Sequence, residues 1–265
     1  MSADAPPRRY GVLGWPVAHS RSPAMHAAAY AELGLEGWRY QRLPVPPEAF
    51  DETVRALGAA GFSGANVTIP HKEAALALAD EATDAARAIG AANTLTFRAD
   101  GTIHADNTDA PGLLAALPAS PEPGSTALVL GAGGSARAVV WALREAGVHV
   151  RVHNRTRARA EELATALGIA VADEPAPADL LVNCTSVGLD DPDASPVADA
   201  SLWPVVADMV YREGGTKLER DARAAGAQTV SGLEILVRQG ALSLERWTGF
   251  RAPVDAMRRA AHASS

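Results

Sequence analysis

The sequence predicts an α/β fold in two parts, and three observations carry that prediction. Short apolar runs alternate with helical patterns along the chain. One run, residues 127–130, breaks into a glycine-rich turn that opens a helix at once. The alternation is interrupted by a hairpin signal and restarts near Asn107. Strands alternating with helices imply crossover connections, and these build mostly parallel sheets.

In chain order, residues 10–14 read as a first strand. Ser22 is a natural N-cap and Pro23 suits the first position of an alanine-rich helix running to about Leu33, with Gly34 as its stop. Residues 38–43 form a second strand and residues 47–60 a helix ended by Gly61. A third strand, 64–69, stops at Pro70 and is followed by a helix from about His71 to Ala79. Residues 93–97 and 102–105 flank Ala99-Asp100-Gly101 as a hairpin. Asn107-Thr108-Asp109 then reads as the cap of a helix beginning near Pro111, and 118–124 as a turn-rich connector. Further strands are expected at 128–130, 148–153, 180–185, 205–210 and near Thr229-Val230, with helices at 137–146, 158–167 and 217–225. A long amphipathic helix at 233–247 and another from Pro253 close the chain.

Composition narrows the function classes. The 265 residues suit one large domain or two small ones, and 48% hydrophobic residues are ample for a core. A net charge of −7 speaks against a nucleic-acid or anionic-membrane surface. A single cysteine, Cys184, excludes an internal disulfide and a multi-cysteine zinc site, and suits a reducing cytosol. No apolar run reaches ~18 residues, so no membrane span is expected. Residues 2–9 lack a hydrophobic segment and read as a short loose tail, not a signal peptide. A cytoplasmic protein is the expectation.

The loudest motif is Gly131-Ala132-Gly133-Gly134-Ser135-Ala136 directly after Ala127-Leu128-Val129-Leu130. It fits G-x-G-x-x-G/A in the context that gives the pattern meaning. Gly131 permits the tight turn, Gly133 lets the backbone approach a pyrophosphate, and Ala136 keeps the helix close to the strand. The helix N-terminus adds unpaired N–H groups and a positive dipole end. A dinucleotide site is predicted, against the alternative of a tight turn without a ligand. The second strand of this half ends in Asn154-Arg155-Thr156-Arg157-Ala158-Arg159. NAD sites place a carboxylate near this point for the ribose hydroxyls, whereas arginines pair with the 2′-phosphate of NADP. Three arginines and no acid favour NADP(H). His149 and His153 share a strand face, but without a third ligand they read as packing residues, and no metal is expected.

Acid–base candidates lie elsewhere. Lys72 falls in the first helical turn after a strand end, where α/β folds put ligand contacts and where the helix dipole disfavours a cation. Taken alone it is either a working base or a solvated lysine. Asp109 is likewise either functional or a helix cap.

Four segments then occur in order: residues 14–23 (Gly-Trp-Pro-Val-Ala-His-Ser-Arg-Ser-Pro), 64–72 (Gly-Ala-Asn-Val-Thr-Ile-Pro-His-Lys), Ala91-Ala92-Asn93-Thr94-Leu95 and Asp106-Asn107-Thr108-Asp109. With the glycine turn, Asn154-Arg155-Thr156, residues 183–188, Asp208-Met209-Val210-Tyr211 and residues 232–239, they resemble the signature blocks of the shikimate dehydrogenase family over nearly the whole chain. That resemblance implies NADPH-dependent reduction of 3-dehydroshikimate to shikimate. Lys72 and Asp109 match the family's catalytic pair, with Lys72 as general acid in reduction and base in oxidation, and Asp109 orienting it. Ser20 and Ser22 match the carboxylate-binding serines. Thr68, Asn93 and Gln239 match residues that hydrogen-bond substrate hydroxyls, and Tyr211 a substrate-side tyrosine. The resemblance also puts Asn154, Arg155, Thr156 and Arg159 on the adenosine phosphate, and Thr185, Ser186, Gly232 and Ile235 at the nicotinamide end. Cys184 is expected to be a small buried residue without a chemical role. Ala110-Pro111 departs from the usual glycine-containing start after the aspartate, which a helix tolerates.

The resemblance redraws the domains as a discontinuous α/β substrate domain, 1–106 with 233–265, and an inserted Rossmann-type NADP domain with a parallel sheet, 107–232. It implies an active site in the cleft between them that closes to exclude water. The expected partner is a small-molecule substrate, with no nucleic acid or membrane, in a monomer or homodimer. Alternatives are a quinate/shikimate or aminoshikimate dehydrogenase of the same superfamily, or a non-catalytic NADP-binding module.

Overall fold

The computed structural model describes residues 6–263; of the loose tail expected over 2–9, residues 2–5 lie outside the described residues, and at its other end Arg9 already belongs to the first strand, with the Arg8 carbonyl accepting from the Arg39 N–H at 3.0 Å. The chain divides into two compact units: residues through Thr108 together with those from Val237 onward, and the stretch Asp109–Leu236 between them.

The first unit holds a six-stranded sheet built from β1 (Arg9–Gly14), β2 (Arg39–Pro44), β3 (Phe62–Val67), β4 (Glu81–Ala82), β5 (Thr94–Phe97) and β6 (Ile103–Asp106), in the order β2-β1-β3-β5-β6-β4. β1 runs parallel to both its neighbours, but β5 is antiparallel to β3 and to β6. The sheet is therefore mixed here, because a turn of a few residues can join only antiparallel strands. Asp100 holds that turn, accepting hydrogen bonds from the Thr102 N–H at 2.9 Å and the Thr102 hydroxyl.

The helices are α1 (Ser22–Glu32), α2 (Phe50–Leu57), α3 (Lys72–Leu78) and α4 (Asp84–Ile89). Two expectations fail. Arg21, not Ser22, occupies the N-cap of α1 without a side-chain capping bond, its guanidinium donating to the Ala261 carbonyl at 2.8 Å, so Ser22 is already helical and is not the cap. The helix expected over 47–60 is a 3₁₀ turn at Pro47–Ala49 followed by only eight residues of α2, whose apolar Phe50, Val54 and Leu57 face the core. The sequence reading also missed α4, although Thr83 caps it by accepting from the Ala86 N–H and Gly90 ends it in the left-handed region. Leu13, Phe50, Val54, Val67 and Leu95 form the core beneath the sheet.

In the second unit, α5 (Asp109–Ala116) precedes β7 (Thr126–Leu130), α6 (Gly134–Glu145), β8 (His149–His153), α7 (Arg157–Leu167), the short edge strand β9 (Ala170–Val171), β10 (Leu180–Asn183), β11 (Val205–Asp208), α8 (Lys217–Ala224) and β12 (Gln228–Val230). The order β12-β11-β10-β7-β8-β9 is parallel throughout. β7 shows why. Ala127 and Val129 enter one core, Leu128 and Leu130 the other, so the strand is buried on both faces, as a continuous apolar run in a parallel sheet requires. The chain goes to β8 on one side of β7 and to β10 on the other. The ends of β7 and β10 therefore flank a topological switch point, where doubly wound sheets bind ligands.

Two helices finish the chain, α9 (Gly232–Thr248) and α10 (Val254–Ala263). In the first unit, α10 packs on α1 and Trp247 of α9 donates its indole N–H to the Leu95 carbonyl at 3.0 Å. Among the described residues no helix is long and apolar enough to cross a membrane.

Candidate active site

In the first unit the polar side chains singled out by sequence gather around strand ends. Ser20 and Ser22 are both buried, and the Ser22 N–H donates to the Ser20 hydroxyl at 3.3 Å. Arg42 holds this loop by donating from Nε and Nη2 to the Ser20 carbonyl at 3.0 and 2.6 Å. Thr68, partly exposed just past β3, donates its N–H to the Leu13 carbonyl at 2.8 Å, and its carbonyl accepts from the His71 N–H at 3.0 Å. His71 anchors the turn: its Nε2 donates to the Val45 carbonyl at 2.7 Å and its ring stacks on Phe50 with centroids 4.3 Å apart. Lys72 therefore starts α3 from a rigid base. Its carbonyl accepts from the Ala92 N–H at 2.8 Å, which roots it beside Asn93, and Lys72 is only 8% exposed.

Asn93 sits in a dense polar layer. Its Oδ1 accepts from the Thr108 N–H at 2.7 Å and from the Thr94 hydroxyl at 3.1 Å, and its Nδ2 donates to the Thr108 hydroxyl at 3.0 Å and to Gln239 Oε1 at 3.1 Å. Behind it, Asn66 Nδ2 reaches the Ser243 hydroxyl at 2.8 Å, Thr94 Oγ1 at 3.2 Å and the Asn93 carbonyl at 3.1 Å, while Asn66 Oδ1 accepts from the Tyr40 hydroxyl at 2.7 Å. Sequence reading singled out Asn93 and Gln239 but not Thr108, Asn66, Ser243 or Tyr40. The available signal was an isolated polar residue inside an apolar strand (Asn66) and another inside the buried stripe of a helix (Ser243).

Asp109 and Tyr211 belong to the second unit. Asp109 is 4% exposed and is the first residue of α5, so the helix begins two residues before the start expected near Pro111 and Asp109 lies inside it. Thr108, just before it, donates its N–H and hydroxyl to Asn93 Oδ1 at 2.7 and 3.1 Å. Tyr211 is partly exposed just beyond β11.

On the dinucleotide side, Gly131 has φ +104°, and a Cβ there would lie 3.0 Å from the Cys184 backbone, so only glycine lets the turns after β7 and β10 approach. Gly133 is exposed and forms the N-cap of α6, with nothing within 4 Å of a Cβ built on it. Ala132, Gly134 and Ser135 are partly exposed around it, and Ala136 is fully buried. An open backbone at a helix N-terminus fits a pyrophosphate. At the end of β8, Asn154 Nδ2 donates to the Thr156 carbonyl at 2.9 Å. Arg155, Thr156 and Arg159 are exposed. Arg157 differs from its neighbours, being ion-paired with Glu161 at 2.7 Å and with Asp173. No acid stands at the strand end, which fits a 2′-phosphate.

The other end of the dinucleotide crevice rests on buried acids. Asp208 Oδ1 accepts from Asn183 Nδ2 at 2.8 Å and the Val210 N–H at 3.0 Å, and Oδ2 from the Thr216 hydroxyl at 2.6 Å. Asn183 Oδ1 in turn holds the Thr185 N–H at 3.0 Å and hydroxyl at 2.7 Å. Burial pushes the Asp208 carboxyl up to about 6 despite those donors. Burial, and then the neighbouring Asp208 charge, pushes Glu219 up to about 7, while the Gly232 N–H bonds to it. Thr185, Val210 and Gly232 thus hang on one buried pair that sequence reading did not single out. Ser186 is exposed beside Thr185. Ile235 is 1% exposed and packs into the core, and Cys184 is partly rather than fully buried.

Comparison with known proteins identifies the lineage. Residues 12–95 match the family model described as the shikimate dehydrogenase substrate binding domain. Residues 118–181 match shikimate / quinate 5-dehydrogenase, and 232–262 match the shikimate 5′-dehydrogenase C-terminal domain. The chain is 47% identical to shikimate dehydrogenase (NADP(+)) of Paracoccus denitrificans, over 92% of each protein. It is 50% identical to the enzyme of that name from Methylobacterium radiotolerans, over 94% of each. The crystal structure of shikimate 5-dehydrogenase from Thermus thermophilus in complex with NADP(H) and shikimate is similar with a TM-score of 0.87 and 47% identity, covering 96% of this chain and 98% of that one. The chain belongs to the shikimate dehydrogenase family.

Proposed function

We propose that this protein catalyses the reversible, NADPH-dependent reduction of 3-dehydroshikimate to shikimate, a step in the shikimate pathway toward chorismate and the aromatic amino acids. The observation that carries this reading is the buried Lys72, rooted beside Asn93, which itself bonds Gln239, in a chain 47% identical to an enzyme solved with NADP(H) and shikimate.

NADPH supplies a hydride to the ketone carbon. Gly131, Ala132, Gly133, Gly134, Ser135 and Ala136 hold its pyrophosphate, and Asn154, Arg155, Thr156 and Arg159 its adenosine phosphate. Thr185, Ser186 and Gly232 form the nicotinamide end, with Ile235 backing them from the core. As negative charge develops on the ketone oxygen, the Lys72 ammonium gives it a proton; in the reverse direction the neutral amine takes the hydroxyl proton. Asp109 orients Lys72 and shares that proton. Ser20 and Ser22 donate hydroxyl hydrogen bonds to the substrate carboxylate, while Thr68, Asn93, Gln239 and Tyr211 hold its hydroxyl groups. The substrate domain, residues 1–106 with 233–265, and the NADP domain, 107–232, follow the family blocks; the two compact units divide two and four residues later, after Thr108 and after Leu236. The enzyme works in the cytoplasm on this small-molecule substrate, as a monomer or homodimer, with no metal.

Initial rates with shikimate or quinate, each with NADP or NAD, test the reading. Shikimate with NADP is expected to dominate. Comparable rates for quinate with NAD would make the protein a quinate/shikimate dehydrogenase instead, and absence of shikimate-dependent NADPH formation would leave only a cofactor-binding module.

A further inference from the structure

Resting on that functional reading, we propose that Tyr40, Asn66 and Ser243 are positioning residues, which set the register of α9 and the direction in which the Asn93 and Gln239 amides face the substrate.

The donors and acceptors leave little freedom. The Thr108 N–H can only donate, so the Asn93 atom 2.7 Å from it is the carbonyl oxygen, and the Asn93 amino group must face Gln239 at 3.1 Å. Gln239 answers with its oxygen, so its own amino group is the end turned away from Asn93. A substrate hydroxyl meeting that end is received as an acceptor. This polarity survives only while Gln239 sits opposite Asn93, and Gln239 belongs to a different element, α9.

Ser243 supplies that register. It lies one turn after Gln239 on the same face of α9, since residues four apart are neighbours on a helix. Its hydroxyl is within 2.8 Å of Asn66 Nδ2, 2.9 Å of Thr94 Oγ1, 3.1 Å of Thr108 Oγ1 and 3.1 Å of the Gln239 carbonyl. One fully buried oxygen therefore ties α9 to β3, to β5 and to the residue that holds Asn93. Asn66 presents its donor end to Ser243 because its oxygen is already taken by the Tyr40 hydroxyl at 2.7 Å. The Tyr40 hydroxyl gives its proton to that oxygen, whereas an Asn66 amide turned the other way would set its oxygen against the Asn93 carbonyl, 3.1 Å away, two acceptors with no proton between them. The order Tyr40 to Asn66 to Ser243 thus runs from β2, through the sheet, into the helix that carries Gln239.

Two variants and the unaltered protein test this, with shikimate and NADP as the varied substrates and thermal unfolding measured alongside. Ser243→Ala deletes the tie itself. Tyr40→Phe deletes one oxygen and keeps the ring stacked on His26, so it stays informative if Ser243→Ala fails to fold. Both are expected to raise the KM for shikimate about tenfold, with the KM for NADP and kcat changed by less than about threefold, as expected for loss of an oriented hydrogen bond. A lower melting temperature with an unchanged shikimate KM would make the network structural only and overturn the inference while leaving the functional reading intact. Equal rises in the KM for both substrates would overturn it as well, by pointing to general loosening. No shikimate-dependent turnover in the unaltered protein would overturn the functional reading, and the inference with it.

Discussion

His26 offers a perturbation whose size follows from the structure. It lies in α1 with no solvent exposure, its ring stacked on Tyr40 with centroids 4.1 Å apart and planes 3° apart. Neither ring nitrogen has a hydrogen-bond partner among the described residues. Burial alone pushes its pKa from 6.5 down to about 3. The unfolded chain therefore takes up the proton first as pH falls. The histidine's contribution to stability is complete above the unfolded value and is lost progressively from there down to the folded one. At about pH 5 the unfolded side chain is some 1.5 pH units below its midpoint while the folded one is still neutral, which costs about 2 kcal/mol relative to about pH 7.5. His26→Phe keeps an aromatic ring against Tyr40 and removes the titration. Its baseline stability mixes relief of two unbonded nitrogens with tighter packing, so the change with pH is the quantity to read. Asp208 and Glu219 shift in the opposite sense and retain extra protons in the fold, but they are common to both proteins and cancel in the difference. Urea unfolding followed by tryptophan fluorescence, with Trp38 and Trp247 in the first unit, is expected to show the variant gaining about 2 kcal/mol on the unaltered protein between pH 7.5 and 5. A difference that stays constant over that range refutes the reasoning, since the ring would then protonate as readily in the fold as in the open chain.

Other outcomes follow from the site. Lys72→Ala should lower kcat by about a hundredfold or more through loss of general acid–base help, with NADP affinity unchanged in a fluorescence titration; full activity would remove Lys72 from the mechanism. Gly131→Ala forces a side chain to φ +104° against the Cys184 backbone. It should cost about 2–3 kcal/mol in denaturant unfolding and weaken NADP binding; a stable variant with intact binding would mean the turn is free to move. Arg155→Asp should reduce the preference for NADP over NAD by about tenfold or more in kcat/KM, whereas Arg157→Ala, a side chain already paired with Glu161 and Asp173, should leave it unchanged. Equal effects at the two positions would contradict the division of labour among these arginines.

The glycine turn could be read from sequence because each of its causes is local. An apolar run buried on both faces, a glycine at positive φ and a helix starting within three residues all lie in one ten-residue window. Lys72 and Asn93 became legible only through family blocks, since a lysine at a helix start and an asparagine before a strand are ordinary in isolation. The arginine turn was half legible. Three arginines in sequence look equivalent, and only the fold brings Asp173, sixteen residues on, against Arg157 and not its neighbours. The buried layer behind the substrate residues lay furthest from sequence reading. Asn66 and Ser243 are 177 residues apart, and Tyr40 joins them from a third element. Asp208 and Glu219 carried ordinary acidic signatures, Glu219 that of the first turn of a helix, until burial changed their chemistry. Periodicity records which side of an element avoids water, and that much the sequence determined by itself. Which polar atoms then meet across the buried side depends on how remote segments approach one another, and only the tertiary structure decides that.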